Sequence, residues 1–368
     1  MTWEPERLDD QRHLTEGDPG GMLRAVAASA AQVRTGHRCA VESGVDRLAA
    51  DVRPRAVVVA GMGGSALAGD LLAAVCGPGA PLPVVTVRSY QLPGWVGATD
   101  LVIAVSWSGE TGETLAMASE AVRRGCTLLG VGPAGSPLEA VAVQSSSVYV
   151  PIPTEGRPRA DLWLVATPLV VAAAALGLVR AESTVYERVA RALEEIAHRC
   201  RPSSDSFVNP GKTLAMDLAE TVPMIWGSSP LAAVAAARFA SRLNENAKYP
   251  AMLGELPEVG HNQVAVLDGP LAERDIFADT ATRTLRLVLL RDIEEHPRVT
   301  RTREAAVRAA QDRDVPVTEL VADGAHPLER LASLIGLADY ASTYLALGYG
   351  VDPTAVGPIT ELQARVSH

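Results

Sequence analysis

Short apolar runs alternate with amphipathic stretches along the first half of the chain. The stretches, such as ALAGDLLAAV and ETLAMASEAVRRG, predict helices. The apolar runs predict buried strands: RAVVVA, PVVTV, DLVIAVS, TLLGV and SSVYVPI. Strands that alternate with helices favour right-handed βαβ units around a mostly parallel sheet. We therefore expect a doubly wound α/β domain that binds its ligand at the carboxyl ends of the strands.

The same layout returns beyond residue 180. Three apolar runs predict strands: VPMIWG, TLRLVLLRD and VPVTELVAD. Three other segments predict helices: LAAVAAARFASRLNENAK, a basic segment between TLRLVLLRD and VPVTELVAD, and ADYASTYLALGYG. This similarity favours a duplicated α/β unit, in which each mostly parallel sheet is flanked by helices. The expected organisation is an N-terminal helical segment at 1–50, a first domain at 51–180, a second domain at 181–350 and a C-terminal tail at 351–368 over the active site.

One apolar segment could be mistaken for a membrane span. The run from Leu162 to Val179 is uncharged and just long enough to cross a bilayer. It is rich in alanine, contains Pro168 and lies within an α/β pattern typical of water-soluble domains. We therefore expect a buried helix and no membrane partner.

Composition narrows the classes of partner further. The chain has 33 basic and 43 acidic residues and a formal charge of −10, without a basic run, which argues against nucleic acid as a partner. The N-terminus is polar and acidic, so we expect no signal peptide and a cytoplasmic location. Reduced thiols, without a zinc site, are the simplest interpretation of four widely spaced cysteines: Cys39, Cys76, Cys126 and Cys200. We expect no metal and no cofactor.

A glycine-rich loop, Gly61–Ser65, joins a predicted buried strand to a helix. Exposed amides and the positive end of the helix dipole suit an anion at such a position, although a tight turn alone also requires glycine. Gly61, Gly63 and Ala66 also fit a dinucleotide fingerprint, so an NAD(P)-dependent oxidoreductase is an alternative. The second strand, however, is followed by Arg88 without an acidic residue for a ribose, which argues against a dinucleotide.

Hydroxyl groups follow the third predicted strand. Ser106, Ser108 and Thr111, together with Ser65, could surround a terminal phosphate monoester through hydrogen bonds. A helix cap is the alternative interpretation, but a cap needs one hydroxyl and this segment has three. The pattern therefore favours a phosphate site.

These motifs resemble a known family. GMGGSALAGD and SWSGETGET resemble the phosphosugar-binding motifs of sugar isomerase (SIS) domains. GRPRA, NENAKYP, ELPEVGHNQ and DPTAV-x-x-I-x-x-L are similar, in order and spacing, to those of bifunctional phosphoglucose/phosphomannose isomerases, from about residue 55 to 365. The resemblance implies two SIS-type (flavodoxin-like) domains and a homodimer. It also implies metal-independent isomerisation of glucose 6-phosphate or mannose 6-phosphate to fructose 6-phosphate.

The resemblance also assigns roles to residues. Glu245 would move a proton through a cis-enediol(ate), Arg159 would stabilise the charge that develops, and His261 of the neighbouring subunit would open the sugar ring. Without the resemblance, Glu245 would be interpreted as a surface partner of Lys248. The expected phosphate ligands are Gly63, Gly64, Ser65, Ser106, Ser108 and Thr111.

Several positions depart from the family pattern. Gln363 stands where the family carries a lysine that helps ring opening, and Val356 stands where it carries a threonine. Other departures are Trp107, Glu110, Asp161 and Trp163. Because an amide cannot supply charge or donate a proton as lysine does, an alternative is a catalytically weakened SIS-domain protein that binds phosphosugars in a regulatory role.

Overall fold

The computed structural model describes residues 2–48, 53–272 and 284–366. Its strands are β1 (Val57–Ala60), β2 (Val84–Val87), β3 (Leu101–Val105), β4 (Thr127–Gly132), β5 (Val148–Pro151), β6 (Thr221–Gly227), β7 (Met252–Glu255), β8 (Thr284–Arg291) and β9 (Val317–Val321).

The helices in the same residues run from α1 to α13. They are α1 (Gln11–Glu16), α2 (Met22–Ala27), α3 (Ser29–Glu42), α4 (Gly63–Cys76), α5 (Gly112–Arg123), α6 (Pro137–Gln144), α7 (Leu162–Ala175), α8 (Ser183–Arg199), α9 (Pro210–Leu218), α10 (Pro230–Asn246), α11 (Pro297–Gln311), α12 (Pro327–Gly348) and α13 (Gly357–Val366). Short 3₁₀ helices include Glu258–His261 and Gln263–Asp268.

The chain divides into two compact units. The first-sheet unit comprises residues 27–194 and 325–329, and the second-sheet unit comprises residues 1–26, 195–324 and 330–368. Each unit contains one sheet, and both sheets are entirely parallel. The predicted α/β class with parallel sheets flanked by helices is confirmed.

The first sheet has the strand order β2-β1-β3-β4-β5, which is a doubly wound order. Side chains alternate between its faces. Val58 and Val102 point into a core shared with Met117 of α5. Val59, on the opposite face, lies against Gly69 of α4, where a side chain would not fit. Helices therefore cover both faces, as continuous apolar strands require.

Helix α7 lies in the apolar segment for which the sequence predicted a buried helix rather than a membrane span. Almost all of its residues are buried, and its proline, Pro168, cannot donate to the carbonyl of Leu164. Gly36 of α3 packs against that carbonyl, because a β-carbon there would lie 3.0 Å from the Leu164 oxygen. No helix in the described residues is long and apolar enough to cross a membrane.

The second sheet repeats part of the first, with the order β7-β6-β8-β9 against β2-β1-β3-β4. Trp226 and Leu287 of its central strands share a core with Ala310 of α11. Strand β7 pairs in parallel with β6, from Met224 opposite Met252. Strand β7 was not predicted from the sequence.

Candidate functional site

The glycine loop follows β1 and leads directly into α4 in the first-sheet unit. The loop packs against the end of the neighbouring strand, because a β-carbon on Gly61 would lie 3.1 Å from the Val105 carbonyl oxygen. Gly63 has a φ of +52°, a conformation that glycine adopts without strain. Ser65 lies in the first turn of α4 and is largely buried. The loop is therefore held at the carboxyl edge of the sheet.

The amides at the start of α4 are oriented for a ligand. Gly63 and Gly64 begin the helix, where the N–H groups precede the first helical acceptor, and the side chain of Met62 at the cap position does not accept from them. The Ser65 amide, by contrast, donates to the Met62 carbonyl at 3.1 Å. The corresponding helix of the second-sheet unit, α10, differs. There the Ser229 hydroxyl accepts from the Ala232 amide at 3.1 Å, and Pro230 removes another N–H group. The first-sheet unit therefore has the better anion site.

Three hydroxyl groups converge at the end of β3. We call Ser106, Ser108 and Thr111 the hydroxyl cluster. The Ser106 Oγ lies 3.0 Å from Thr111 Oγ1 and 3.4 Å from Ser108 Oγ, and the last two oxygens are 3.5 Å apart. In the described structure the Thr111 side chain makes no capping hydrogen bond to α5, although it occupies the N-cap position. The helix-cap interpretation of these hydroxyls is therefore not supported for Thr111.

Backbone amides and a glycine fix the shape of the cluster. The Gly109 and Glu110 amides donate to Ser106 Oγ at 3.0 Å and to Ser108 Oγ at 3.2 Å. Gly109 has a φ of +71°, and a β-carbon there would overlap Ser136. Glu110 is exposed. The turn thus holds the three hydroxyls together without a buried carboxylate among them.

The Arg159 segment approaches the glycine loop. The Pro158 carbonyl oxygen lies 3.9 Å from the position of a β-carbon on Gly64. Arg159 is half-buried and lies inside a turn closed by the amides of Ala160 and Asp161, which donate to the Arg157 carbonyl at 2.8 and 3.0 Å. The structure therefore brings the predicted arginine segment and the predicted phosphate ligands to one edge of one sheet.

Glu245 lies in the last turn of α10 in the second-sheet unit, where its side chain is 26% exposed. Its carboxylate forms an ion pair with Arg242, one turn earlier, whose side chain is only 4% exposed. Lys248 instead donates to the carbonyls of Glu245, Asn246 and Asp352 at 2.9, 3.1 and 3.0 Å. A cation near a helix C-terminus offsets the unfavourable dipole there. Lys248 thus forms hydrogen bonds both to the end of α10 and to Asp352.

His261 and Gln363 are both surface residues of the second-sheet unit. His261 ends the 3₁₀ helix Glu258–His261 and is exposed, and its neighbour Asn262 donates to Glu258 at 2.9 Å. Gln363 lies in α13, none of whose residues is buried. Their predicted catalytic roles remain predictions, as does the supply of His261 by a second subunit.

Comparison with known proteins shows the family of this chain. Residues 207–366 match the bacterial phospho-glucose isomerase C-terminal SIS domain. A bifunctional phosphoglucose/phosphomannose isomerase of Caldicellulosiruptor bescii is 31% identical over 317 residues, which are 84% of this chain and 89% of the relative. The chain belongs to the bifunctional phosphoglucose/phosphomannose isomerase family. The resemblance inferred from the motifs is therefore confirmed, and members of this family are sugar-phosphate isomerases.

Other relatives agree with this family assignment. The isomerase of the same name from Aquifex aeolicus is 28% identical over 87% of this chain and 93% of its own length. A glucose-6-phosphate isomerase from Chlamydia trachomatis shares the fold with a TM-score of 0.70 at 14% identity, over 93% of this chain and 77% of that one. The fold and the family are thus consistent.

Two contacts of the candidate residues, one in each unit, were not anticipated from the sequence. Arg242, the ion-pair partner of Glu245, is spaced three residues before it, which is a recognisable helical pairing. The indole of Trp107 donates to Asp161, 54 residues later in the sequence, at 2.9 Å. No local sequence pattern predicts that hydrogen bond.

Proposed function

We propose that this protein is a metal-independent aldose–ketose isomerase that converts glucose 6-phosphate or mannose 6-phosphate to fructose 6-phosphate. Family membership supports the reaction class. The hydroxyl cluster is the observation that carries the proposal, because its three oxygens lie within 3.5 Å of one another. The cluster follows β3, which pairs in parallel with β1, the strand that leads into Gly63 and Gly64 of α4.

Phosphate binding is the first step of the proposed cycle. A phosphate monoester has several strong acceptor oxygens, and hydrogen bonds to such charged acceptors are stronger than neutral ones. Hydrogen bonds to the phosphate would come from the hydroxyl groups of Ser65, Ser106, Ser108 and Thr111, and from amide N–H groups at the start of α4. This preformed set suits a protein whose overall charge of −10 repels anions at long range.

Proton transfer is the chemical step. With the aldose ring open, the Glu245 carboxylate would remove the proton from C2, and the electron pair would form a C1–C2 double bond as charge moves onto O1. Arg159 would stabilise that enediolate oxygen. Glu245 would then return the proton to C1 while the O2 proton moves to the negatively charged O1, which leaves the C2 carbonyl and the C1 hydroxyl of the ketose. The ion pair with Arg242 would orient the carboxylate.

Ring opening needs a second acid–base group. We assign it to His261 of a neighbouring subunit in a homodimer, because an imidazole can both accept and donate a proton. Gln363 stands where the family carries lysine, so a hydrogen-bonding amide would replace a cation at this step. We also propose a cytoplasmic location, which is consistent with four free cysteines in the described chain.

Gln363 is also the observation that favours a second candidate. If ring opening fails without the lysine, the protein would bind sugar phosphates without turning them over and would act as a phosphosugar-binding regulator. Binding would then persist and raise the melting temperature, as mass action requires of a ligand that binds the folded state.

A coupled assay distinguishes the two functions. Wild-type protein is incubated in EDTA with fructose 6-phosphate, and the formation of glucose 6-phosphate and mannose 6-phosphate is followed. We expect turnover in the wild type and a kcat lower by about 10²–10⁴-fold in Glu245→Gln, the usual range for loss of a general base.

Glu120→Gln is the matched control for that assay. Glu120 is also a glutamate in the last turn of a helix, α5, and it pairs with Arg124, the residue directly after that helix, at 2.7 Å. Its substitution should leave kcat unchanged. Stabilisation by fructose 6-phosphate without any turnover would refute the isomerase and support the regulator, and equal turnover in Glu245→Gln would refute the assignment of the base.

A further inference from the structure

A buried carboxylate connects the hydroxyl cluster to the arginine segment. Trp107 lies between Ser106 and Ser108, and its indole Nε1 donates to Asp161 Oδ2 at 2.9 Å. Asp161 is 3% exposed and lies two residues after Arg159, at the start of α7. Asp161 is thus part of the segment that contains Arg159, and its side chain contacts the loop that contains the hydroxyl cluster.

The second oxygen of this carboxylate has a donor on another element. Gln32 of α3 is 7% exposed, and its Nε2 donates to Asp161 Oδ1 at 2.9 Å. The backbone at Gly156 passes so close to the carboxylate that no side chain would fit there. Buried polar groups that lose a partner are costly, so this arrangement tolerates little change.

We propose that Asp161 is a positioning residue that sets the phosphate loop and the Arg159 segment in one geometry. This inference rests on the proposed function, because it treats the hydroxyl cluster as the sugar-phosphate site. The turn that contains Arg159 ends at the Asp161 amide, and the adjoining Pro158 carbonyl faces Gly64 at 3.9 Å from a β-carbon position there. Phosphate affinity therefore depends on a residue that need not touch phosphate.

Asparagine at this position provides an isosteric test. One carboxylate oxygen becomes an NH₂ group, so whichever way the new amide turns, either Trp107 or Gln32 faces a donor instead of an acceptor. We expect Asp161→Asn to weaken binding of fructose 6-phosphate about tenfold, because loss of one hydrogen bond to a charged group releases the loop.

A reciprocal exchange should restore binding. In Gln32→Glu combined with Asp161→Asn, the new amide donates to the new carboxylate at position 32 and still accepts from Trp107. Shape and net charge are conserved. We expect the dissociation constant to return to within about twofold of wild type, a recovery that double-mutant coupling between contacting residues permits.

Asp100→Asn is the control variant. Asp100 is also a buried carboxylate of the first-sheet unit, but it lies just before β3, at the end opposite the hydroxyl cluster, where it accepts from Arg55 at 2.8 Å. Its substitution should lower the melting temperature without changing affinity. A structural role of Asp161 alone would produce the same result as this control.

Calorimetric titration with fructose 6-phosphate, at a temperature where all variants are folded, tests the inference. Weaker binding in Asp161→Asn with recovery in the reciprocal variant supports it. Wild-type affinity in Asp161→Asn, or no recovery in the reciprocal variant, overturns it. Wild-type protein that binds but shows no turnover refutes the isomerase and leaves this inference intact, whereas no binding by the wild type overturns both.

Discussion

A threonine at the start of a helix can cap the helix or bind a ligand, and substitution of Thr111 distinguishes these two roles. Thr111 occupies the N-cap position of α5, yet in the described structure its side chain makes no capping bond and instead lies 3.0 Å from Ser106 Oγ. Thr111→Val replaces the hydroxyl with a methyl group of similar size. We therefore expect a large effect on sugar-phosphate binding and a small effect on folding.

The size of the effect follows from the kind of hydrogen bond that is lost. A hydrogen bond to a charged group contributes about 1.5–3 kcal/mol. At about 1.4 kcal/mol per factor of ten, KM for fructose 6-phosphate should rise roughly 10- to 150-fold. The free energy of unfolding should fall by less than about 1 kcal/mol, since the lost bond to Ser106 is a neutral one.

Ser136 provides the matched control. It is the N-cap of α6 and does cap its helix, because its hydroxyl accepts from the Glu139 amide at 3.3 Å. Ser136→Ala should lower the free energy of unfolding by about 1 kcal/mol, the usual loss for a cap, and leave KM unchanged.

Urea denaturation and steady-state kinetics of both variants decide the question. If Thr111→Val loses as much stability as Ser136→Ala and keeps the wild-type KM, then Thr111 is a helix cap. The hydroxyl cluster would not bind phosphate in that case, and the reasoning that places the phosphate at the end of β3 would be refuted.

Two further predictions concern the first-sheet unit. Gly109→Ala should destabilise the protein by about 2–3 kcal/mol and raise KM, because it adds a positive-φ penalty and an overlap with Ser136. Gly135 has a φ of +74° with open space around it, so Gly135→Ala should destabilise the protein by only about 1 kcal/mol and leave KM unchanged. Equal losses of stability in the two variants would contradict this account. Burial raises the pKa of Asp100, but hydrogen bonds from Arg55 and Gly97 outweigh it, and the net pKa lies below its usual value. The stability that this carboxylate contributes is present above an unfolded pKa of about 3.9 and is lost as pH falls through the lower folded pKa. Asp100→Asn should therefore flatten the acid limb of a profile of melting temperature against pH. An unchanged acid limb would contradict this prediction.

The strands were predictable where burial is complete. Val57–Ala60 and Leu101–Val105 are buried at every position, so their apolar runs are continuous in the sequence. Strand β7, Met252–Glu255, was missed because it lies at the edge of the second sheet and only alternate residues are half-buried. Its pairing with β6 comes from tertiary contact rather than from local pattern.

The candidate site was predictable to the extent that it is local. Ser106, Ser108 and Thr111 follow one buried strand within six residues, so topology alone brings their hydroxyls together. The bond between Trp107 and Asp161 depends on how distant segments pack, which no spacing rule reveals. The predicted domain bounds at 50, 180 and 350 stay a prediction.

The partner of Glu245 shows a limit of spacing rules. Arg242 and Lys248 both lie three residues from Glu245, and the sequence interpretation without a family favoured the lysine. Arg242 precedes Glu245 inside α10, where its side chain is buried and forms the ion pair. Lys248 lies beyond the helix end with a φ of +55°, which turns its ammonium toward backbone carbonyls.

Isomerisation in D₂O tests the central claim most directly, that Glu245 moves a proton between C2 and C1. Fructose 6-phosphate is converted in D₂O with EDTA, and the glucose 6-phosphate or mannose 6-phosphate formed is examined by NMR. A carboxylate that holds the proton between the two transfers exchanges it with solvent, so we predict deuterium at C2, and no labelled product with Glu245→Gln. Product that retains only protium at C2, or labelled product at the wild-type rate from Glu245→Gln, would contradict the account.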